Sequence, residues 1–249
     1  MRIIIYMLFC LLCFSCSPVV DSSNELYWFL GASMIKPGKE IVQKFNSENK
    51  NIKVVLIPGG SGQLLSKILA SGKGDIYTPA SKYFLDKALK ARIVKSYNKL
   101  LEQKPVFGLA TKLDGKKITF NDLVTKNYKL AVGNPKAMAL GQIFIEIKKR
   151  MGSKLSAQIK KNEYVYAVSV SHIVNYVLTG VVDAGLMFDT VAKANDISYV
   201  DVPSKYNVPE CAYLVTLKSC TNTKNARIFG KYIRQQADIF KKYDFELLK

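Results

Sequence analysis

The stretch NIKVVLIPGGSGQLLSKILASG, residues 51–72, joins two apolar runs through a glycine-rich loop. The first run, 51–58, is short and rich in Val and Ile, which is typical of a buried strand. The second run, 62–72, has apolar residues at helical spacing and ends at Gly72. A strand, a tight loop and a helix in succession form half of a β–α–β unit, so this stretch indicates an α/β fold.

The alternation of strand and helix signals continues along the rest of the chain. Predicted strands cover 25–33, 51–58, 74–81, 104–112, 128–135, 163–170, 181–188, 196–203 and 210–218, and predicted helices cover 37–49, 62–72, 81–94, 139–152, 171–180 and 225–243. They form two series, and the chain returns to the first series at its end. We therefore expect two lobes, each a mixed sheet flanked by helices, with a ligand cleft between them. Residues 25–105 plus 212–249 are assigned to the first lobe and 106–211 to the second.

The first residues have the composition of a targeting segment. Arg2 precedes an apolar run over 3–14, which is shorter than the roughly 20 residues that a membrane-spanning helix requires. Residues 1–15 are therefore predicted to be a signal peptide. The end of this segment, CFSC, resembles a bacterial lipobox, which implies acylation of Cys16 and a lipid-anchored tether over 16–24. A signal peptide that is simply cleaved is the alternative.

The strong positive charge does not by itself indicate a nucleic-acid-binding protein. Lys and Arg number 37 against 19 acidic residues, a formal net charge of +18. Most lysines recur singly along predicted helix faces, and the longest basic run is only 148–150. We therefore expect no nucleic-acid partner, and a surface that favours anions and anionic membranes.

Residues for catalysis are scarce. His172 is the only histidine, so a His-based metal cluster is excluded, and no phosphate-binding P-loop frame is present. If the chain is extended from Cys211 to Cys220, their sulfurs lie too far apart for a disulfide, and the bridge would form only if the strand were interrupted. We expect a protein that is not an enzyme. An envelope enzyme that uses Cys211 or Asp189 is the rival class, and equilibrium binding without turnover separates the two.

Two strand-to-helix junctions carry a serine where an anion could bind. Ser33 ends the first strand, and Ser61 follows the second strand among glycines. Such junctions expose free backbone N–H groups at the positive end of a helix, and a serine adds a neutral donor. Either junction alone is more typical of a simple turn. Pro37 and Gly38 predict that the helix after Ser33 begins late.

Five stretches, taken in order, resemble the molybdate-binding proteins of bacterial ABC importers. They are YWFLGAS (27–33), IPGGSGQLLSKILASGKGDIYTPAS (57–81), LAVGNPKAMALGQIFIEI (130–147), VSVSHIVNYVLTGVVDAGLMFDTVA (168–192) and IFKKYDFELL (239–248). The resemblance runs over residues 25–246. It implies a type II periplasmic binding protein, a monomer with two lobes. Its ligand would be molybdate or tungstate, which it would deliver to a membrane permease.

The resemblance also implies which residues hold the oxyanion. They are the hydroxyl groups of Ser33 and Ser61, the backbone N–H groups of Leu140 and Val170, and a side chain at position 188. That side chain is usually a tyrosine, whereas this chain has Phe188. No cofactor and no protein-bound metal ion are expected, because the anion is bound through neutral donors.

Because Phe188 stands where the family usually has a tyrosine, oxyanions other than molybdate have to be considered as ligands. Loss of the tyrosine hydroxyl removes one hydrogen bond, unless Ser169, Ser171 or Thr190 supplies another. Sulfate and phosphate therefore stand as alternatives to molybdate, although a phosphate would need an acceptor for its proton, and no matched position carries a carboxylate. A ferric-iron receptor is disfavoured, since the matched positions lack a cluster of Tyr and His.

Overall fold

The computed structural model describes residues 24–248. The predicted signal peptide over 1–15, Cys16 and the tether, apart from its last residue Asn24, lie outside this range. Within it, no helix combines the length and the apolar character needed to cross a bilayer. The described chain forms two five-stranded mixed sheets flanked by helices, so the prediction of a two-lobed α/β fold is confirmed.

The first sheet, in the first lobe, has the strand order β2-β1-β3-β10-β4. Its strands are β1 (Glu25–Gly31), β2 (Lys53–Gly59), β3 (Ile76–Thr78), β4 (Val94–Gln103) and β10 (Glu210–Leu217). The helices around it are α1 (Ile35–Glu48), α2 (Ser61–Ser71), α3 (Lys82–Lys90), α8 (Thr223–Gln235) and α9 (Ala237–Lys242). Strand β1 runs parallel to β2 and β3, whereas β10 is antiparallel to β3 and β4.

The second sheet, in the second lobe, has the order β7-β6-β8-β5-β9. Its strands are β5 (Pro105–Leu109), β6 (Leu130–Gly133), β7 (Glu163–Ala167), β8 (Ala184–Phe188) and β9 (Tyr199–Asp201). The helices around it are α4 (Phe120–Thr125), α5 (Ala139–Lys160), α6 (Val170–Leu178) and α7 (Asp189–Lys193). The chain passes between the sheets twice, at Lys104 and again between β9 and β10.

Aromatic packing ties the end of the chain to the first lobe. Phe229 of α8 lies edge-on to Trp28 of β1, with ring centroids 5.2 Å apart, and to Phe45 of α1 at 4.8 Å. All three side chains are buried. The indole of Trp28 also donates a hydrogen bond to Thr78 Oγ1 at 2.8 Å. Burial of three large rings accounts for the return of the C-terminal helices to this sheet.

Helix α1 begins earlier than predicted. A 3₁₀ turn over Ala32–Met34 leads directly into α1 at Ile35, so the expectation of a late start was wrong. Pro37 is tolerated because it lies in the first helical turn, where a backbone N–H has no intrahelical acceptor. Ser33 therefore lies at the very start of a continuous helical segment.

Several elements differ from the prediction in extent or were missed. Strand β4 and helix α4 were missed, and β4 carries mostly exposed polar side chains, which hide the apolar pattern of a strand. Helix α5 breaks at Gly152, as its sequence indicated, but helical turns resume to Lys160. The predicted terminal helix is interrupted at Gln236. Strand β10 ends at Leu217, ahead of Cys220. Cys211 and Cys220 are both free thiols.

Gly185 of β8 is predicted to be essential for the packing of α6 on the second sheet. A Cβ at Gly185 would lie 2.4 Å from Cγ2 of Ile173 and 2.9 Å from Cγ2 of Val177, both on α6. These β-branched side chains cannot rotate away within a helix. We expect Gly185→Ala to lower the free energy of unfolding by about 1–3 kcal/mol, as measured by urea denaturation.

Gly230 of α8 supplies the control. A Cβ there would meet only Leu214 Cδ2, at an ordinary 3.6 Å. Gly230→Ala is expected to leave stability unchanged or raise it by up to about 1 kcal/mol, because alanine favours a helix. Equal losses in the two variants would contradict the packing account.

Candidate functional site

The first lobe brings its two serine junctions to the same edge of its sheet. Strands β1 and β2 are parallel neighbours, and their last residues, Gly31 and Gly59, are paired in register. The 3₁₀ turn that contains Ser33 follows β1, and α2 begins at Ser61, two residues after β2. The carboxyl ends of parallel strands are where open α/β sheets bind ligands.

The second lobe presents an equivalent edge. Strands β6 and β7 are also parallel neighbours, with Gly133 paired to Ala167 at their ends. Helix α5 follows β6, and Leu140 is its second residue; helix α6 follows β7, and Val170 is its first residue. The residues before these helices, Met138 and Ser169, have extended backbones and make no side-chain cap.

The two edges meet around one small cavity, which we call the anion cavity. It is lined by Ala32, Ser33, Gly59, Gly60, Ser61, Ala80, Met138, Ala139, Leu140 and Val170. Its volume of about 20 Å³ exceeds the minimum for a single water, so it suits one compact ligand. The structure thus brings together four of the five predicted ligand contacts, Ser33, Ser61, Leu140 and Val170.

The serine hydroxyls remain able to donate. Ser33 is nine-tenths buried, and its Oγ has no hydrogen-bond partner within the described chain. Ser61 Oγ accepts a hydrogen bond from the Ala80 N–H at 3.1 Å, which leaves its own proton free. The carbonyl of Ser61 accepts from the hydroxyl of Tyr77 at 2.7 Å. Burial raises the pKa of Tyr77 well above its usual value, so this hydroxyl stays protonated and holds Ser61 in place.

Backbone donors add to the hydroxyls. The first N–H groups of an α-helix have no intrahelical acceptor. Among described residues, the N–H groups of Ser61, Leu140 and Val170 donate to no carbonyl in a turn or loop. Each lies in the first turn of a helix, whose dipole places a partial positive charge there. The cavity wall is therefore rich in donors that suit an anion.

Contacts across the cleft hold the lobes together around the cavity. The carbonyl of Ala137, just before α5, accepts from the N–H groups of Gly62 and Gln63 at 2.8 and 3.2 Å. On another side, the Lys36 amine donates to the carbonyl of Ala194. These bonds join helices of the first lobe to loops of the second, so the structure is in a closed arrangement.

No carboxylate of the described part of the chain lines the anion cavity. The wall can donate hydrogen bonds, but it offers no acidic side chain to receive a proton from a ligand. It also lacks a general base and a nucleophile other than the two serines, neither of which has a histidine beside it. The groups that this wall offers are hydrogen-bond donors of the kind that suit an anion.

Phe188 lies apart from the other four residues. It ends β8, pairs with Pro105 of β5, and is only 1% exposed, but it does not line the anion cavity. Two residues further on, Thr190 has a buried hydroxyl without a partner among described residues. A ligand contact at position 188 therefore stays a prediction.

The candidates for catalysis are dispersed. His172 is exposed on α6, and Asp189 accepts a hydrogen bond from the Lys104 N–H at 3.1 Å. Burial raises the pKa of Cys211, and raises that of Cys220 to about 12, so neither thiol is a ready nucleophile. Within 24–248, no cluster of three or more His, Cys, Asp or Glu side chains could hold a metal ion.

Sequence reasoning missed the residues that close the cleft. Ala137 and Gly60 carry no chemical signal of their own, because Ala137 acts through its carbonyl and Gly60 through the lack of a side chain. The available signal was the glycine pair 59–60 beside Ser61, since glycine permits a close approach of backbone.

A model of the bacterial extracellular solute-binding protein family matches residues 26–246. The molybdate-binding protein ModA of Mycobacterium bovis is 24% identical over 84% of this chain and 78% of its own length. A relative from Haemophilus influenzae, provisionally called a binding protein, is 28% identical over 66% of this chain, and the match covers 65% of the relative's length, just under two thirds.

Solved structures share the fold at lower identity. The periplasmic molybdate-binding protein of Azotobacter vinelandii has a TM-score of 0.75 and 18% identity, covering 90% of this chain and 100% of that chain. The sulfate-binding protein SubI of Mycobacterium tuberculosis has a TM-score of 0.75 and 14% identity, covering 91% of this chain and 88% of that chain. At these identities the likeness shows the fold alone.

Gly60 tests whether the cleft closes as described. A Cβ at this position would lie 2.4 Å from the carbonyl oxygen of Val168 and 2.6 Å from that of Ala137, both in the second lobe. The extended backbone of Gly60 (φ −63°, ψ 140°) accepts alanine, and the one close contact within the first lobe, at 3.2 Å, is to the flexible Gln63 side chain, so the serious conflicts arise across the cleft. We expect Gly60→Ala to fold normally but to show a larger radius of gyration by small-angle X-ray scattering.

Gly59→Ala is the matched control, because its Cβ would meet only the Leu64 side chain in the same lobe. It should keep the compact scattering profile. Identical profiles for the two variants would show that residue 60 does not approach the second lobe.

Proposed function

The chain belongs to the bacterial extracellular solute-binding protein family, and from that premise we propose that it captures a small tetrahedral oxyanion between its lobes. The favoured ligand is molybdate or tungstate. One observation carries the proposal: the buried hydroxyl of Ser33 has no partner among the described residues and belongs to a compact cavity at which helix starts from both lobes meet.

The chemistry of the wall favours an anion without protons. The serine hydroxyls and backbone N–H groups can all donate, and no carboxylate is present to accept. A fully deprotonated dianion such as molybdate, tungstate or sulfate satisfies every donor. Hydrogen phosphate would need a serine hydroxyl to accept its O–H, and a hydroxyl used in that way no longer donates its own proton to the anion. Phosphate is therefore the weaker candidate.

Relatives support molybdate within this group. The Mycobacterium bovis relative is a molybdate-binding protein by name, and it aligns with most of this chain. The Azotobacter vinelandii structural neighbour is also a molybdate-binding protein, whereas the SubI neighbour is a sulfate-binding protein. The same fold thus serves anions of different size, and we place molybdate or tungstate ahead of sulfate.

Capture is proposed to work by hinge closure. An open cleft admits the anion to Ser33 and Ser61 on the first lobe. The second lobe then brings the starts of α5 and α6 against it, and Ala137 bonds to the start of α2. Closure removes water, which strengthens the hydrogen bonds to the anion. The closed monomer would then be recognised by the permease of an ABC importer, with no chemical step.

We also propose that the protein is held at the membrane by acylation of Cys16. The basis is the sequence CFSC at the end of the predicted signal peptide. The tether would leave the two lobes free to move near the permease. Cys16→Ser is expected to move the protein from the membrane fraction to the soluble extracytoplasmic fraction, as judged by fractionation and immunoblotting. Retention of the variant in the membrane fraction would argue against the lipid anchor.

Ser33 provides the sharpest test of the ligand site. Its hydroxyl has no partner within residues 24–248, so Ser33→Ala should leave the unliganded protein at least as stable as the wild type. A hydrogen bond to a charged acceptor is worth about 1.5–3 kcal/mol, so affinity for molybdate should fall roughly 10- to 150-fold. Calorimetric titration with molybdate, tungstate, sulfate and phosphate measures the order of affinities among these ligands and the loss of affinity in the variant.

Ser81→Ala is the matched control. Ser81 is also buried, and its hydroxyl also lacks a partner among described residues, but it does not line the anion cavity. It should bind molybdate as the wild type does. If none of the four anions binds to the wild type, the oxyanion proposal fails; if Ser33→Ala binds unchanged, the site has been placed wrongly.

A further inference from the structure

A second and larger cavity adjoins the anion cavity between the lobes; we call it the side chamber. Its volume is about 180 Å³, against about 20 Å³ for the anion cavity. The two share three wall residues, Ala32, Ser33 and Val170. A ligand atom bound at Ser33 would therefore stand at the boundary of both spaces.

The wall of the side chamber is mainly apolar. Ile35, Pro37 and Phe245 come from the first lobe, and Val174 and Val191 from the second. Apolar walls gain free energy when an apolar group replaces water against them. A bare oxyanion carries no apolar group to place against these walls, so a tetrahedral ion alone does not explain the chamber.

Few charges reach the chamber. Among residues 24–248, Lys36 is the only charged residue in its wall, and the Lys36 amine donates to the carbonyl of Ala194 across the cleft. Its remaining polar side chains are Ser33, Ser171, Asn175 and Asn195, and no carboxylate lines it. The surroundings repel neither an anion nor a short alkyl group, and they provide no acidic partner for a cationic substituent.

We infer that the cleft takes organic oxyanions: ligands whose tetrahedral head lies in the anion cavity and whose short apolar substituent lies in the side chamber. Alkyl sulfonates fit this description best, because their oxygens carry no proton and can accept from the hydroxyl and N–H donors of the wall. The inference rests on the proposed function, since the head group must first bind at Ser33 and Ser61.

A homologous series provides the test. Methane-, ethane- and propanesulfonate carry the same charge and the same head group, so differences in affinity report only the alkyl chain. Each buried methylene is expected to tighten binding about fourfold, as measured by calorimetric titration of the wild-type protein. Molybdate is titrated in parallel as a bare oxyanion.

Two substitutions fill the side chamber from opposite walls. Val174→Trp extends from α6, and Ile35→Trp extends from α1. Each should abolish the gain in affinity along the series and leave molybdate binding within about twofold of the wild type. Leu178→Trp, one turn along α6 and half exposed, is the matched control and should keep the gain. The second filling variant serves if the first does not fold.

Each outcome is decisive. A stepwise gain that both filling variants remove supports the inference. If molybdate binds but affinity does not rise along the sulfonate series, the inference fails and the proposed function stands. If the gain persists in the filling variants, the alkyl chain lies elsewhere and the inference is overturned. If neither molybdate nor any sulfonate binds, the proposed function fails and the inference with it.

Discussion

The hydrogen bonds that the Ala137 carbonyl accepts from Gly62 and Gln63 are the contact on which the site depends. They satisfy two of the N–H groups that the first turn of α2 leaves free, and they place the loop before α5 against the loop before α2. Ser61 and Leu140, which come from different lobes, thereby become walls of one cavity. Without this contact, each lobe would carry only half of an anion site.

The same geometry places positive helix ends close together. The starts of α2, α5 and α6, and of α1 through its 3₁₀ turn, all border the anion cavity. Each carries a partial positive charge of about half an elementary charge, and like charges repel. An anion at the centre would attract each of these helix starts, and that attraction opposes their mutual repulsion. The proposed ligand binding and closure would thus be coupled by electrostatics, although no lysine or arginine within 24–248 lines the anion cavity.

Much of this arrangement could be predicted from the sequence, because its signals are local. Alternating apolar runs predicted the two-lobed fold, and the serines at strand ends, Ser33 and Ser61, predicted the part of the proposed site that the first lobe contributes. The resemblance to molybdate-binding proteins suggested Leu140 and Val170. Contacts between distant residues could not be predicted: Ala137 meets Gly62 only when the lobes close. Strand β4 was missed since its side chains are polar and exposed, and Phe188 packs in the core away from the cavity.

The central claim is that one tetrahedral anion is bound where the two lobes meet. A crystal structure of the protein with tungstate, with anomalous scattering used to locate the tungsten atom, tests it most directly. We expect one strong peak in the anion cavity, with ligand oxygens within hydrogen-bond distance of Ser33 Oγ, Ser61 and the N–H groups of Leu140 and Val170. A peak outside the cleft, or a liganded protein in which Ala137 and Gly62 are apart, would contradict the account.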